Sequence, residues 1–155
     1  MSIKRLKIRV PSAKSISHGI LKGHKLVFHK KSKDNSSKCD ALKTNKVAEM
    51  VHGVLFDIDE SDIESLNTAE GLGYGYEKNI IKVHKPDNAI VEAFTYIATD
   101  IDSSLLPYAW YKYHVIHSAV EHRLPVDYIA KIDEVETITD PDYVRARNEL
   151  SIYHL

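Results

Sequence analysis

The chain has 155 residues, 43% of them apolar, which suits one domain with an ordinary core and excludes a disordered chain. Its single cysteine, Cys39, excludes an internal disulfide framework and a Cys-rich zinc site. No apolar run reaches the length of a membrane span, and the charged start Met1-Ser2-Ile3-Lys4-Arg5 lacks the apolar stretch of a signal peptide. A reducing cytoplasm is therefore the expected location. The net charge of −1 hides an asymmetry: residues 1–46 hold 13 Lys/Arg against 2 Asp/Glu, a balance of +11, and the remainder 8 against 20, a balance of −12. A basic segment can bind nucleic acid, but no recognition motif accompanies it, and two oppositely charged faces of one fold account for the pattern. Neither nucleic acid nor a membrane is expected as a partner.

In chain order, the spacing of Ile3, Leu6 and Val10 predicts a short helix ended by Pro11. Residues 16–29 read as a strand, with a break near Gly23. Asp34 to Ser37 is a loop. The run from Val51 to Ile58 predicts a buried strand. A helix follows, opened by a capping box of Ser61 and Glu64 and closed by Gly71 in a left-handed cap. Tyr76 to His84 and Ile90 to Ala98 are two strands joined by a turn at Lys85-Pro86-Asp87-Asn88. Pro107 is expected to open a long helix reaching His122. Leu124-Pro125 breaks it, and Val126 to Val135 is a further helix. Residues 137–155 read as a charged tail helix of the same single domain, 1–155. Strands and helices do not alternate as βαβ units, so the expected class is α+β: a small mixed β-barrel with flanking helices.

The most informative stretch is Leu66-Asn67-Thr68-Ala69-Glu70-Gly71-Leu72-Gly73-Tyr74-Gly75-Tyr76, which holds three of the six glycines within five residues. Glycine there permits a sharp turn or a close approach to a ligand. The run leads from helix to strand, the reverse of a dinucleotide fingerprint, and no phosphate-loop lysine follows. Glu70 falls in the last turn of its helix, where the negative end of the helix dipole disfavours an acid. Burial would act in the same direction, and a carboxylate tuned toward neutrality is what a general base needs. The competing reading is a surface glutamate in a glycine-rich turn.

Glu70-Gly71 followed by Gly75-Tyr76 at a strand start resembles the gamma-glutamylcyclotransferase-like family, which includes the plant avirulence-induced-gene-like proteins. Arg5-Leu6 with Arg9-Val10-Pro11-Ser12-Ala13 resembles the region after the family's first loop. Gly23 to Ser32 and Lys38-Cys39-Asp40-Ala41 resemble its second strand and following loop. Phe94-Thr95-Tyr96-Ile97-Ala98 and Pro107-Tyr108 with Trp110-Tyr111 resemble its later strand and helix. The resemblance spans the chain to about Ile132.

The resemblance implies a reaction without cofactor or metal. A small-molecule gamma-glutamyl substrate closes its α-amino group onto its own γ-carbonyl, giving 5-oxoproline and a free amine or amino acid. Glu70 matches the catalytic glutamate, and Tyr76, Tyr96 and Tyr111 match aromatic positions that contact substrate. Core packing is the plainer role for those tyrosines. The family also begins with a strand ending in a Tyr-Gly-Ser-Asn loop whose backbone donors hold the substrate, and Met1 falls just after the position of that loop. The resemblance thus implies that the chain as written lacks this strand and loop. It then exposes a sheet edge that favours homo-oligomers and is inactive in this form. A non-catalytic binding or regulatory relative is the alternative function.

Three further patterns are set aside. Asp57, Asp59 and Ser61 imitate a calcium loop but fail at the turn glycine (Asp62) and the bidentate glutamate (Thr68). His114, His117, Glu121 and His122 share one helix region without a second ligand cluster, and a solvated face is expected. Cys39 has no catalytic partner near it in sequence.

Overall fold

The computed structural model describes residues 2–153. Seven residues, Ile3–Arg9, form α1, ended at Val10. The strands are β1 (Lys14–Lys22), β2 (His24–Lys31), β3 (Ser37–Lys43) and β4 (Met50–Asp57), followed by α2 (Glu60–Glu70), β5 (Tyr76–His84) and β6 (Ile90–Ala98). Three helices complete the order: α3 (Ala109–Glu121), α4 (Val126–Asp133) and α5 (Tyr143–Ser151).

The α+β class holds. Antiparallel strands run in the order β4-β1-β5-β6 in one sheet, while β2 and β3 pair separately as a two-stranded ribbon. Gly23 makes the break between β1 and β2, at φ +72°, a left-handed conformation that suits glycine. Within the larger sheet, β1 meets β5 in register only at Ile20–His84, so β1–β4 and β5–β6 are themselves nearly separate ribbons. β3 lies beside β6 and β2 beside β4.

The expected barrel is not closed: among the described residues no ladder joins the two sheets. Side chains bridge the β3–β6 seam instead. The buried Asp40 carboxylate accepts the Ala98 N–H at 2.9 Å and pairs with His29 Nε2 at 2.9 Å, so a sheet donor is spent on a side chain. Near the ribbon's end, Lys31 N–H donates to the Asp100 carbonyl at 2.9 Å, and an isolated bridge joins Lys30 to Ile101.

Other boundaries differ for local reasons. The segment 38–41, read as part of a strand and loop, lies wholly in β3. β4 is half-buried along its length because it is an edge strand lining an internal cleft. Pro107 does not open α3; it is fully buried one residue ahead of the N-cap, Tyr108. The Ser61 capping box does not form: α2 starts two residues earlier, with Asp59 at its N-cap. Ser12 ties that end down, its N–H donating to Asp62 and its hydroxyl accepting from Asp59 N–H, both at 3.0 Å.

Leu6, Val10, Ala13 and Leu66 form one apolar cluster, packed by Phe56, Phe94 and Tyr96. Ala119, Leu124 and Ile132 form a second, packed by Leu26, Phe28 and Tyr128. The first cluster seats α1 and α2 against β4 and β6, and the second seats α3 and α4 against β2. Burying such side chains contributes about 1.5–3 kcal/mol each. The space left between them is the cleft.

Candidate active site

The cleft has a volume of about 910 Å³ and is lined by residues of α1, α2, α3, α4 and all six strands, with Glu70, Tyr76, Tyr96 and Tyr111 all on its wall. That volume is ample for a dipeptide-sized ligand. The glycine run delivers Glu70 to it. Gly71 closes α2 at φ +73°, with its N–H bonded to the Asn67 and Thr68 carbonyls, so the helix stops at the glutamate. Gly73 and Gly75, at φ +81° and +123°, carry the chain straight into β5. Glycine at both is required by the backbone.

Glu70 keeps 19% of its side-chain surface exposed, and its Oε1 lies 3.2 Å from an Arg9 Nη. The sequence reading considered the helix dipole at this position but not Arg9, which brings the cation that a helix C-terminus favours. Arg9 is in reach because α1 packs against the end of α2 through Leu6, Val10 and Leu66.

The three tyrosines stand together on the wall, with each hydroxyl engaged. Tyr76 donates to the Cys39 carbonyl at 3.0 Å, and Tyr96 donates to Asn67 Oδ1 at 2.8 Å. The Tyr111 oxygen accepts the Cys39 N–H at 3.0 Å and meets Cys39 Sγ at 3.0 Å. Burial, above all, pushes the Tyr96 hydroxyl up to about 12 and those of Tyr76 and Tyr111 upward as well. All three are neutral donors or acceptors at neutral pH. Cys39 is likewise pushed up by burial, which disfavours the thiolate and makes it a poor nucleophile.

Two lysines were missed in the sequence. Lys38 sits among the rings of Trp110 and Tyr111, each 4.8 Å away, and is held by Asp34 at 2.9 Å and Ser36 at 2.8 Å. Lys30 lies over the Tyr76 ring at 4.9 Å. Burial lowers both ammonium groups. Nothing local marks them among the other lysines of the basic segment, since their setting comes from strand pairing and the docking of α3.

The histidine-rich region of α3 is not a solvated face. His114 is 3% exposed and pairs through Nδ1 with Tyr153 at 2.7 Å and through Nε2 with Glu149 at 3.1 Å. Glu149 also pairs with Arg5 at 3.2 Å, so α5 is clipped to α1 and α3. Among the described residues, no group of three His, Cys, Asp or Glu side chains is placed to hold a metal ion.

This α+β fold is the gamma-glutamylcyclotransferase-like one. The chain belongs to the AIG2-like family, whose sequence model matches residues 50–132, just over half of it. A solved structure titled "Gamma-glutamyl cyclotransferase" superposes with a TM-score of 0.81 at 24% identity, covering 88% of this chain and 83% of that one. An uncharacterized protein from Homo sapiens superposes with a TM-score of 0.79 at 25% identity, covering 87% and 82%. YkqA from Bacillus subtilis matches at 0.72 and 17% identity over 86% of this chain and 49% of its own length. No curated protein sequence matches the chain.

Proposed function

We propose that the protein cyclises a gamma-glutamyl peptide or amine, releasing 5-oxoproline and an amino acid or amine, with Glu70 as the general acid–base residue. The observation that carries this reading is the placement of Glu70: one carboxylate, projected by a glycine-capped helix end into a cleft walled by Tyr76, Tyr96 and Tyr111. An AIG2-like family member with a gamma-glutamylcyclotransferase-like fold supports it.

The chemistry asks little more of the site. The substrate's α-ammonium cannot attack until it loses a proton, and Glu70 takes it. The freed amine adds to the γ-carbonyl carbon of the same molecule, forming the fifth ring bond and an oxyanion. Collapse breaks the bond to the leaving amine, which receives the first proton back from Glu70 and the second from the ring nitrogen, so that the ring closes as a neutral lactam and the amine leaves as an ammonium. Because attack is intramolecular, holding one folded conformer removes much of the entropic barrier. The half-buried rings narrow the cleft to that conformer, and their neutral hydroxyls leave the carboxylate as the proton carrier.

A non-catalytic binding relative is the second reading, favoured by one observation: Arg9 holds one Glu70 oxygen at 3.2 Å, an ion pair that stabilises the charged carboxylate against taking a proton. The test measures 5-oxoproline release from gamma-glutamyl dipeptides. It uses the chain as written and the chain preceded by a strand ending in Tyr-Gly-Ser-Asn. Release in either form, lowered about 10²–10⁴-fold by Glu70→Gln, is the expected result. Release within a few-fold of the parent in Glu70→Gln removes Glu70 from the mechanism. Binding of the dipeptides with no release from either form establishes the non-catalytic reading.

A further inference from the structure

Three lysines line the cleft. Lys38 is tied to Asp34 and Ser36, and Lys85 to Asp87. The two arginines on the same wall are tied as well, Arg5 to Glu149 and Arg9 to Glu70. Lys30 has neither an ion pair nor a hydrogen bond among the described residues. Among the described residues it is the one lysine or arginine of the cleft that the fold leaves free.

We infer that Lys30 is a specificity residue: its ammonium receives a carboxylate of the substrate. The inference deepens the gamma-glutamyl reading and rests on it. Lys30 stands at the end of β2 with its stem against the backbone of Gly75 and its ammonium over the Tyr76 ring. A side-chain carbon at Gly75 would lie 2.9 Å from Lys30 Cε and 3.2 Å from Nζ, so the absence of a side chain at position 75 gives the lysine its place. The Tyr76 hydroxyl is already donated to Cys39, which leaves the ring face as the platform. Asp100, Asp34 and Glu70 act on the ammonium at longer range, yet none approaches as an ion-pair partner. A partly desolvated ammonium without a partner is costly to keep, and a ligand carboxylate supplies the missing acceptors. A gamma-glutamyl amino acid carries two carboxylates, one at the cyclising end and one on the leaving group.

Calorimetric titration of the full chain with gamma-glutamyl-alanine, its α-carboxamide and its C-terminal carboxamide tests the assignment. Lys30→Met retains the apolar stem, and Lys30→Arg retains the charge. The chain is expected to bind one of the two amides about 10- to 100-fold more weakly than the acid, the range for a hydrogen bond to a charged group. Which amide suffers identifies the carboxylate. Lys30→Met should bind the acid and that amide within about 3-fold of each other, and Lys30→Arg should keep most of the difference. Equal binding of all three ligands by the chain overturns the assignment. So does discrimination retained in Lys30→Met, or the absence of binding by any of the three. Turnover is not read in this experiment, so cyclisation can fail while Lys30 stands, and an active enzyme can still show that Lys30 reads nothing.

Discussion

At the scale of single residues, Asp40 does the most structural work with the fewest atoms. It is 4% exposed, and its two oxygens serve His29 and the Ala98 N–H across the β3–β6 seam. Asp40→Ala leaves a buried imidazole and a half-buried backbone donor without partners. The expected loss is about 3 kcal/mol, read as a lower midpoint in urea; an unchanged midpoint would mean that water replaces the carboxylate at no cost. The sequence placed Asp40 only in a segment resembling the family and gave it no role, because both its partners are remote in the chain. Glu70 was legible, since helix, glycines and strand are adjacent in sequence and fix its setting locally. The tyrosines were legible as positions on the cleft, whereas the partners of their hydroxyls, Cys39 and Asn67, were not. Arg9, Lys30 and Lys38 acquire their meaning from packing, and a basic segment read along the chain does not separate them from their solvated neighbours.

At the scale of elements, local chemistry predicted ends better than starts. Gly71 is the left-handed cap expected of it, and Gly71→Ala should cost about 1 kcal/mol for placing a side chain at positive φ. Gly71→Asn should cost less, as asparagine tolerates that region. Chemical denaturation of the two variants checks the order, and an alanine as stable as glycine would refute it. The N-terminus of α2 went otherwise because Ser12, 47 residues away from Asp59 in sequence, supplies its hydrogen bonds. A capping box is a local solution, and a tertiary partner displaced it. In α3 the same lesson holds at larger scale: His114 looks like part of a polar face until Glu149 of α5 and Tyr153 just beyond it cover the ring.

At the scale of the molecule, four histidines on three elements share one property. Burial pulls His18, His52, His114 and His122 below 6.5. His52 is held down further by His18, whose ring nitrogen is 3.1 Å away, and His114 is pulled back up by Glu149. A depressed histidine resists the proton in the folded state, while the unfolded chain takes it near 6.5. Stability is therefore full above that value and is lost as pH falls through it. The melting temperature should be highest above pH 7 and decline between pH 6.5 and 5 at constant ionic strength. A flat or rising melting temperature across that window would contradict the burial of these rings. The lowered carboxyls of Glu149 and of Asp140, the latter held at about 2 chiefly by Arg145, extend the decline at more acid pH.

The open seams have a consequence for cooperativity. The walls of the cleft are three antiparallel ribbons, β1–β4, β5–β6 and β2–β3, joined to one another by few backbone bonds. A two-stranded ribbon is marginal by itself, so each relies on the helices, and each is a natural unit of partial opening with its own free energy. Glu70 is presented from the end of α2, Lys30 from β2 and Tyr96 from β6. A molecule bound among them touches separate units at once. Its binding energy then acts as a staple, coupling units that the empty protein lets breathe independently.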